Sequence, residues 1–231
     1  MGLSIYLAMT AWEYYNCDAP PEFPAWMACH FSSSGSGLSN IPAHFPTGGI
    51  LMLNDQIPPA NHSPNQVAQQ LMQAVEAFSP RGVILDFQRP FHSQCQDIAR
   101  KIAAMLPCPV AITDTYRQDW SGPLFLPPIP PGKNIETYLQ KWQGWEIWLE
   151  ITKTAERLIV DKNGCTRQPM NQLPGMPVFQ DDRLFCHYST DISQNQAVFS
   201  LWRTDEDLAQ MLVCAKALGV TAAVGLYQEF C

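Results

Sequence analysis

Residues 82–90 read GVILDFQRP, and the reading of this stretch decides the rest. From Gly82 to Phe87 the run is apolar with one interruption, Asp86. A half-solvated strand alternates apolar and polar side chains, whereas a strand covered on both faces, as in a parallel sheet, does not. Upstream, Ser63 reads as a helix N-cap, with Pro64 at the first helical position and Gln66 completing a capping box. Val67, Leu71, Val75 and Phe78 recur at helical spacing, and Pro80 and Gly82 end that helix before the strand. Downstream, a second helix over roughly Gln94 to Leu106 carries Ile98, Ile102 and Met105 on one side. Pro107 stops it, and Pro109 to Thr113 (PVAIT) forms the next strand. Helix, buried strand, helix, buried strand is the rhythm of an α/β chain with a parallel sheet.

The same rhythm extends outward. Ser4 to Thr10 (SIYLAMT) is a first strand, Trp26 to Phe31 (WMACHF) a second, and Gly49 to Leu53 (GILML) a third that ends at Asn54 and Asp55. Gly122 to Gly132 is proline-dense (GPLFLPPIPPG) and fits an extended loop or edge segment. Gly144 to Thr152 (GWEIWLEIT) alternates, as does Glu156 to Val160, and Asn163-Gly164 signals a hairpin turn, so a β-hairpin excursion is expected near residues 145–165. A further strand pair spans Arg183 to Tyr188 and Ala197 to Trp202. Thr204 then caps a helix whose first turn, Asp205 to Asp207, suits the positive end of the dipole. Leu208, Met211, Leu212, Ala215 and Leu218 form its stripe, Gly219 closes it in the left-handed position, and Val220 to Tyr227 is a last buried strand. That makes roughly eight strands, the number of a (β/α)8 TIM barrel, in a chain near the lower length for that fold. No internal repeat or long linker is visible, so a single domain over residues 1–231 is expected, compact or partly degenerate.

Apolar residues make up 46% of the 231, enough for a sizeable core, and the net charge of -7 with no basic patch gives no electrostatic reason to bind nucleic acid or an anionic membrane. No apolar stretch approaches membrane-spanning length. The eight cysteines form no C-x-x-C pair and are expected as reduced, mostly buried thiols of a cytoplasmic protein. His30, His44, His62, His92 and His187 show no metal-ligand spacing, and neither a phosphate loop nor a serine or cysteine nucleophile elbow is present. No metal and no other cofactor are expected.

GVILDFQRP resembles the fourth-strand signature of the family 18 glycoside hydrolases, the chitinases and their relatives, which runs roughly D-G-I-D-L-D-W-E-Y-P. Gly82, Leu85, Asp86 and Pro90 match it, and Val83 and Phe87 are conservative replacements. Arg81 and Ile84 stand at its first two acidic positions, Gln88 at its glutamate and Arg89 at its aromatic. The final block, VFSLWRTDEDLAQMLVCAKALGVTAAVGLYQ, is similar to the last helix and strand of that family, especially its spore-associated members, with Tyr227 in place of the usual tryptophan. The resemblance covers the middle third and last fifth of the chain. It implies a chitinase-like barrel that recognises a glycan of N-acetylglucosamine type at the C-terminal ends of its strands, Gln88 standing where the catalytic acid belongs.

Residues two apart on a strand share a face, so Ile84, Asp86 and Gln88 are expected on one side of the strand and near the barrel mouth. An amide has no proton to give near neutral pH, and losing general acid catalysis costs about 10²–10⁴-fold, so hydrolysis is expected to be lost or weak. Asp86, Gln88 and Glu150 are the candidate catalytic positions, Gln88 as a non-catalytic occupant. Asp55, Asp114, Tyr116, Trp148, Tyr227 and Glu229, at or after apolar strands, are the candidate ligand-binding residues. Glu146, Trp148 and Glu150 share one face of their run, which is either the polar outside of a hairpin or a route into the cleft. Trp12, Tyr14, Tyr15, Trp26 and Trp120 are further aromatics near strand ends that could line a groove or simply pack. Two other roles stay open: an active glycosidase whose acid and base have moved to other carboxylates, and a non-catalytic protein-interaction scaffold. The sequence says nothing of oligomeric state.

Overall fold

The computed structural model of the chain describes residues 3–59, 61–170, 172–173, 175 and 177–231. In chain order its elements are β1 (Ser4–Met9), α1 (Ala11–Asn16), β2 (Pro24–Phe31), β3 (Leu38–Ser39), β4 (Ile50–Asn54), α2 (Pro64–Phe78), β5 (Gly82–Asp86), α3 (Ser93–Met105), β6 (Val110–Thr113), β7 (Leu124–Leu126), α4 (Ile135–Gln140) and β8 (Ile147–Ile151). There follow β9 (Ala155–Asp161), β10 (Gly164–Met170), β11 (Phe179–Asp181), β12 (Cys186–Ile192), β13 (Gln196–Trp202), α5 (Asp205–Ala217), β14 (Val220–Leu226) and α6 (Tyr227–Phe230). Contacts group these into two compact units, one holding the stretch up to Pro127 with Trp145–Glu150 and Thr221–Cys231, the other Pro128–Gly144 with Ile151–Val220.

The first unit is built on a closed parallel barrel of eight strands. Their order is β1-β14-β8-β7-β6-β5-β4-β2, and β1 pairs directly with β2 (Leu7 with Pro24, Met9 with Trp26) to close the ring. β3 adds only a short antiparallel edge on β2. Alternate side chains point inward, and the barrel core comprises Tyr6, Ala8, Ala25, Ile50, Met52, Ile84, Ala111, Phe125, Trp148, Ala222 and Val224. On β5 the other face, Val83 and Leu85, is equally buried, which accounts for the unbroken apolar run read in the sequence. The flanking helices carry the predicted stripes, Val67, Leu71 and Val75 on α2 and Ile98 and Ile102 on α3.

Four of the inward residues are alanines, and one indole occupies much of the space they leave. A Cβ on Gly82 would lie 2.5 Å from Cη2 of Trp148 and 2.8 Å from the Pro109 carbonyl oxygen. β5 and β8 are separated in the sheet by β6 and β7, so this ring reaches across the barrel interior to rest on a bare backbone. Its Nε1–H donates to Glu146 (3.2 Å), whose carboxylate also accepts from the Thr221 hydroxyl (2.8 Å), so the indole is held in one orientation.

The second unit contains an antiparallel sheet in the order β10-β9-β13-β12-β11. Ala155, Met170 and Trp202 pack together in it. Arg203, 5% exposed, spends its donors on the carbonyls of Phe185, Ile129 and Pro130, so its buried charge is hydrogen-bonded and not left open. α5 begins with a complete capping box between Thr204 and Asp207, and Gly219 takes φ +99° just past its end, as its position predicted.

Three local expectations change. The alternating run around Trp148 is not a hairpin arm: Ile147–Ile151 is barrel strand β8, and the hairpin at Asn163-Gly164 is formed by β9 and β10. The alternating face there runs from Glu146, exposed before the strand, through Trp148 in the barrel core to Glu150 at the cavity. The proline-dense stretch holds a short barrel strand, β7, with Pro123 donating no N–H but accepting from Ile112 through its carbonyl. Ser63 makes no side-chain cap, and the Gln66 side chain donates to the carbonyl of Ser36.

Gly82→Ala forces its methyl into the Trp148 ring and a fixed carbonyl, so overpacking by about 1–3 kcal/mol is expected. Thermal unfolding checks it, with a Tm drop of roughly 2–4 °C for each kcal/mol in a chain of this size.

Candidate functional site

The C-terminal ends of the barrel strands surround a cavity of about 180 Å³. Its lower wall is apolar, formed by Ala8, Met27, Met52, Phe125, Val224 and Leu226, and its polar groups are Asn54, Asp55, Gln56, Asp86, Gln88 and Glu150. The inward parity of β5 delivers Asp86 one step above Ile84, and the same parity on β8 delivers Glu150 one step above Trp148. Among the described residues the lining holds three carboxylates and no Lys, Arg or His.

Two hydrogen-bonded units organise the polar side. Asp55, 3% exposed, accepts from the backbone N–H groups of Gln88 (2.9 Å) and Arg89 (3.1 Å), which pins the loop after β5. The Gln88 side-chain amide then donates to both carboxylate oxygens of Asp86 (3.0 and 3.2 Å). Asn54 donates to the Met27 carbonyl (3.0 Å) and accepts from the Gln56 N–H (3.2 Å), holding the neighbouring loop. Among the described residues Glu150 has no such anchor.

The electrostatics follow from burial and like charge. Burial pushes the Asp86 carboxyl above the usual range, with Asp55 adding to the rise and the Gln88 amide opposing it. Glu150 is pushed up to about 7, first by burial and then by Asp86 and Glu229. Taking an ion from water costs free energy, and a second negative charge nearby adds to that cost. At neutral pH, Glu150 therefore holds its proton about as often as not.

The expected residues divide by location. Asp86, Gln88, Glu150 and Asp55 meet at the cavity. Trp148 lies within the barrel core, 2% exposed, as a floor. Tyr116 is fully buried against Phe87 and Phe91, its hydroxyl accepting from the His92 N–H (3.1 Å). Asp114 is half-buried in a 3-10 turn after β6, outside the cavity lining. β14 ends at Leu226, so Tyr227 and Glu229 fall on α6, Glu229 close enough to act on Glu150. Trp26 and Trp120 are core residues, whereas Trp12 stays 74% exposed on α1, directly after β1. Sequence reasoning missed Asn54, Gln56, Met27 and Phe125. The parity of Ile50, Met52 and Asn54 was the signal available for the first of these.

Neither a family model nor a curated protein sequence matches the chain. Solved structures do. An N-acetylglucosaminidase of glycoside hydrolase family 18 from Paenibacillus barengoltzii matches over 98% of this chain and 96% of its own, at 9% identity and TM-score 0.63. A mutant family 18 chitinase from Cycas revoluta, in complex with (GlcNAc)4, matches over 96% and 94% at 9% identity and TM-score 0.62. A chitinase-like agglutinin from Robinia pseudoacacia matches over 97% and 94% at 11% identity and TM-score 0.61. The likeness is one of fold: the chain folds as the (β/α)8 barrel of the chitinase-like proteins, as GVILDFQRP implied. No described helix is long and apolar enough to cross a membrane.

Because the proton affinity of Glu150 is raised on folding, the folded state gains from its neutral form. That contribution is complete below about pH 4.5 and is lost as pH rises through about 7. At ~1.4 kcal/mol per tenfold change in proton affinity, the loss is at most about 3 kcal/mol. Glu150→Gln removes it, so the variant is expected to gain Tm over the parent at pH 8 and to match it at pH 5, as read by thermal melts across that range.

Proposed function

We propose that this chain is a degenerate chitinase-like barrel that binds a glycan of N-acetylglucosamine type in the cavity at its mouth and has lost most or all hydrolysis. The observation that carries the reading is the Gln88–Asp86 pair. The position where the family resemblance calls for an acid holds an amide, and that amide is bonded to the neighbouring carboxylate. Such a pair can bind sugar hydroxyls through its remaining donor and acceptor sites but gives no proton to a leaving oxygen.

The cavity supports the same reading by size and lining. At about 180 Å³ it is smaller than a drug-sized site, roughly 300–1,000 Å³, and suits a single ring. One wall is apolar and the other carries convergent polar groups, as the C–H faces and hydroxyls of a pyranose require. Trp12, exposed beside the C-terminal end of β1, offers a flat surface on the same rim for a following ring. Eight unpaired cysteines support a reducing compartment such as the cytoplasm.

A second reading draws on Glu150. Its proton makes it the one carboxyl in the cavity fit to act as an acid near neutral pH, with Asp86 as its partner, in a glycosidase whose machinery has moved. That reading requires turnover of an aryl glycoside that falls as pH rises through about 7 and disappears in Glu150→Gln.

Titration with tri-N-acetylchitotriose is expected to saturate at or below the millimolar range without product release, and Asp86→Ala to weaken it about tenfold or more, the worth of a charge-assisted hydrogen bond. Absence of saturation at millimolar concentrations of this trimer and of its de-N-acetylated form overturns the carbohydrate reading.

A further inference from the structure

The cavity has an unbalanced charge inventory. Asp55, Asp86 and Glu150 line it, Glu229 acts on Glu150 from α6, and no cationic side chain joins them among the described lining residues. Arg89, the nearest guanidinium in sequence, is turned to the Gln56 carbonyl (2.8 Å). The three lining carboxylates are not equivalent. Asp55 is saturated by two backbone N–H groups, and Asp86 receives the Gln88 amide on both oxygens. Glu150 lines the same cavity half-buried, and among the described residues no side chain or backbone group hydrogen-bonds to its carboxyl. A chitin-type neutral ligand brings an acetamide, which offers one N–H and leaves the negative potential in place. The same sugar without its acetyl group brings an ammonium, with three donors and a compensating charge.

We propose that the ring seated in this cavity is a de-N-acetylated amino sugar, its ammonium held by Glu150 with Asp86 close by. The inference rests on the glycan-binding reading and refines its ligand class: a partly or fully deacetylated chain in preference to chitin itself. Glu150 is then the residue that sets specificity. Binding couples to a proton, because the ammonium favours ionised Glu150 and expels the proton it carries in the empty site. The groups facing Glu150 are Asp86 and Glu229, with Asp55 acting in turn on Asp86, and all are acidic. None of them provides the positive charge that would otherwise replace the ligand's.

The experiment compares chitotriose in its fully acetylated and fully deacetylated forms by isothermal titration at about pH 6, where an amine is charged and Glu150 is mainly protonated. Buffers of different ionisation enthalpy report proton release. The expected result is at least ~10-fold tighter binding of the deacetylated trimer, the worth of a charge-assisted hydrogen bond, with up to one proton released. Glu150→Gln is expected to bring the two trimers to near parity and abolish the release. Glu206→Gln, on an exposed acid of α5, keeps the preference. Equal or tighter binding of the acetylated trimer overturns the ammonium assignment while the glycan reading stands. Failure of both trimers to bind overturns the two together. Loss of the preference in Glu206→Gln as large as in Glu150→Gln assigns it to general surface charge and overturns the role of Glu150.

Discussion

The indole of Trp148 lying on the bare Cα of Gly82 is the contact on which the barrel depends. The strands are short, three residues in β7 and four in β6, and several inward positions are alanines. Interiors are packed close to crystal density, so the space above those alanines has to be filled from somewhere. Trp148 fills it from the far side of the ring, and that is possible only because β5 starts with a residue that has no side chain. The glycine that opens GVILDFQRP is therefore a packing requirement before it is a family mark. With the floor set at this height, the next inward residues on the two strands, Ile84 then Asp86 on β5 and Glu150 on β8, rise to the open end.

What happens at that open end follows from how each carboxylate is partnered. Asp55 accepts two backbone N–H bonds and serves the loop, Asp86 is engaged by an amide, and Glu150 is left to hold its own proton. An acid in place of Gln88 would have put a fourth carboxyl into the same small space. The amide adds no charge there and has no proton to give near neutral pH.

Much of this was legible in the sequence, and the failures have physical causes. GVILDFQRP was readable because a strand buried on both faces has a run-length signature, and because parity along a strand needs no structure to apply. Helices α2, α3 and α5 were readable through their stripes and punctuation. β7 was hidden because prolines dominate its surroundings, and proline argues against a strand interior even where, as at Pro123, its carbonyl still serves the ladder. β8 was misassigned because alternation has the same period whether one face meets solvent or, as with Trp148 and Glu150, the interior and mouth of a barrel. Asp55 was expected near the mouth and lines the cavity, but its two N–H partners lie more than thirty residues away, a distance that no local pattern spans. Tyr116 shows the converse: an aromatic after a strand looks like a binding surface until its ring is seen between Phe87 and Phe91.

The ring is closed by β1, which pairs with β2 on one side and with β14 on the other. Residues 152–219, with their own antiparallel sheet, come between β8 and the strand that completes the circle. During synthesis β1 and β8 consequently lack the neighbour they share in the closed ring until β14 has been made. Exposed strand borders invite pairing with other chains, and pairings of such long sequence separation form slowly. Closure of the barrel thus waits on the pairing of its first strand with its last, the one of greatest separation along the chain.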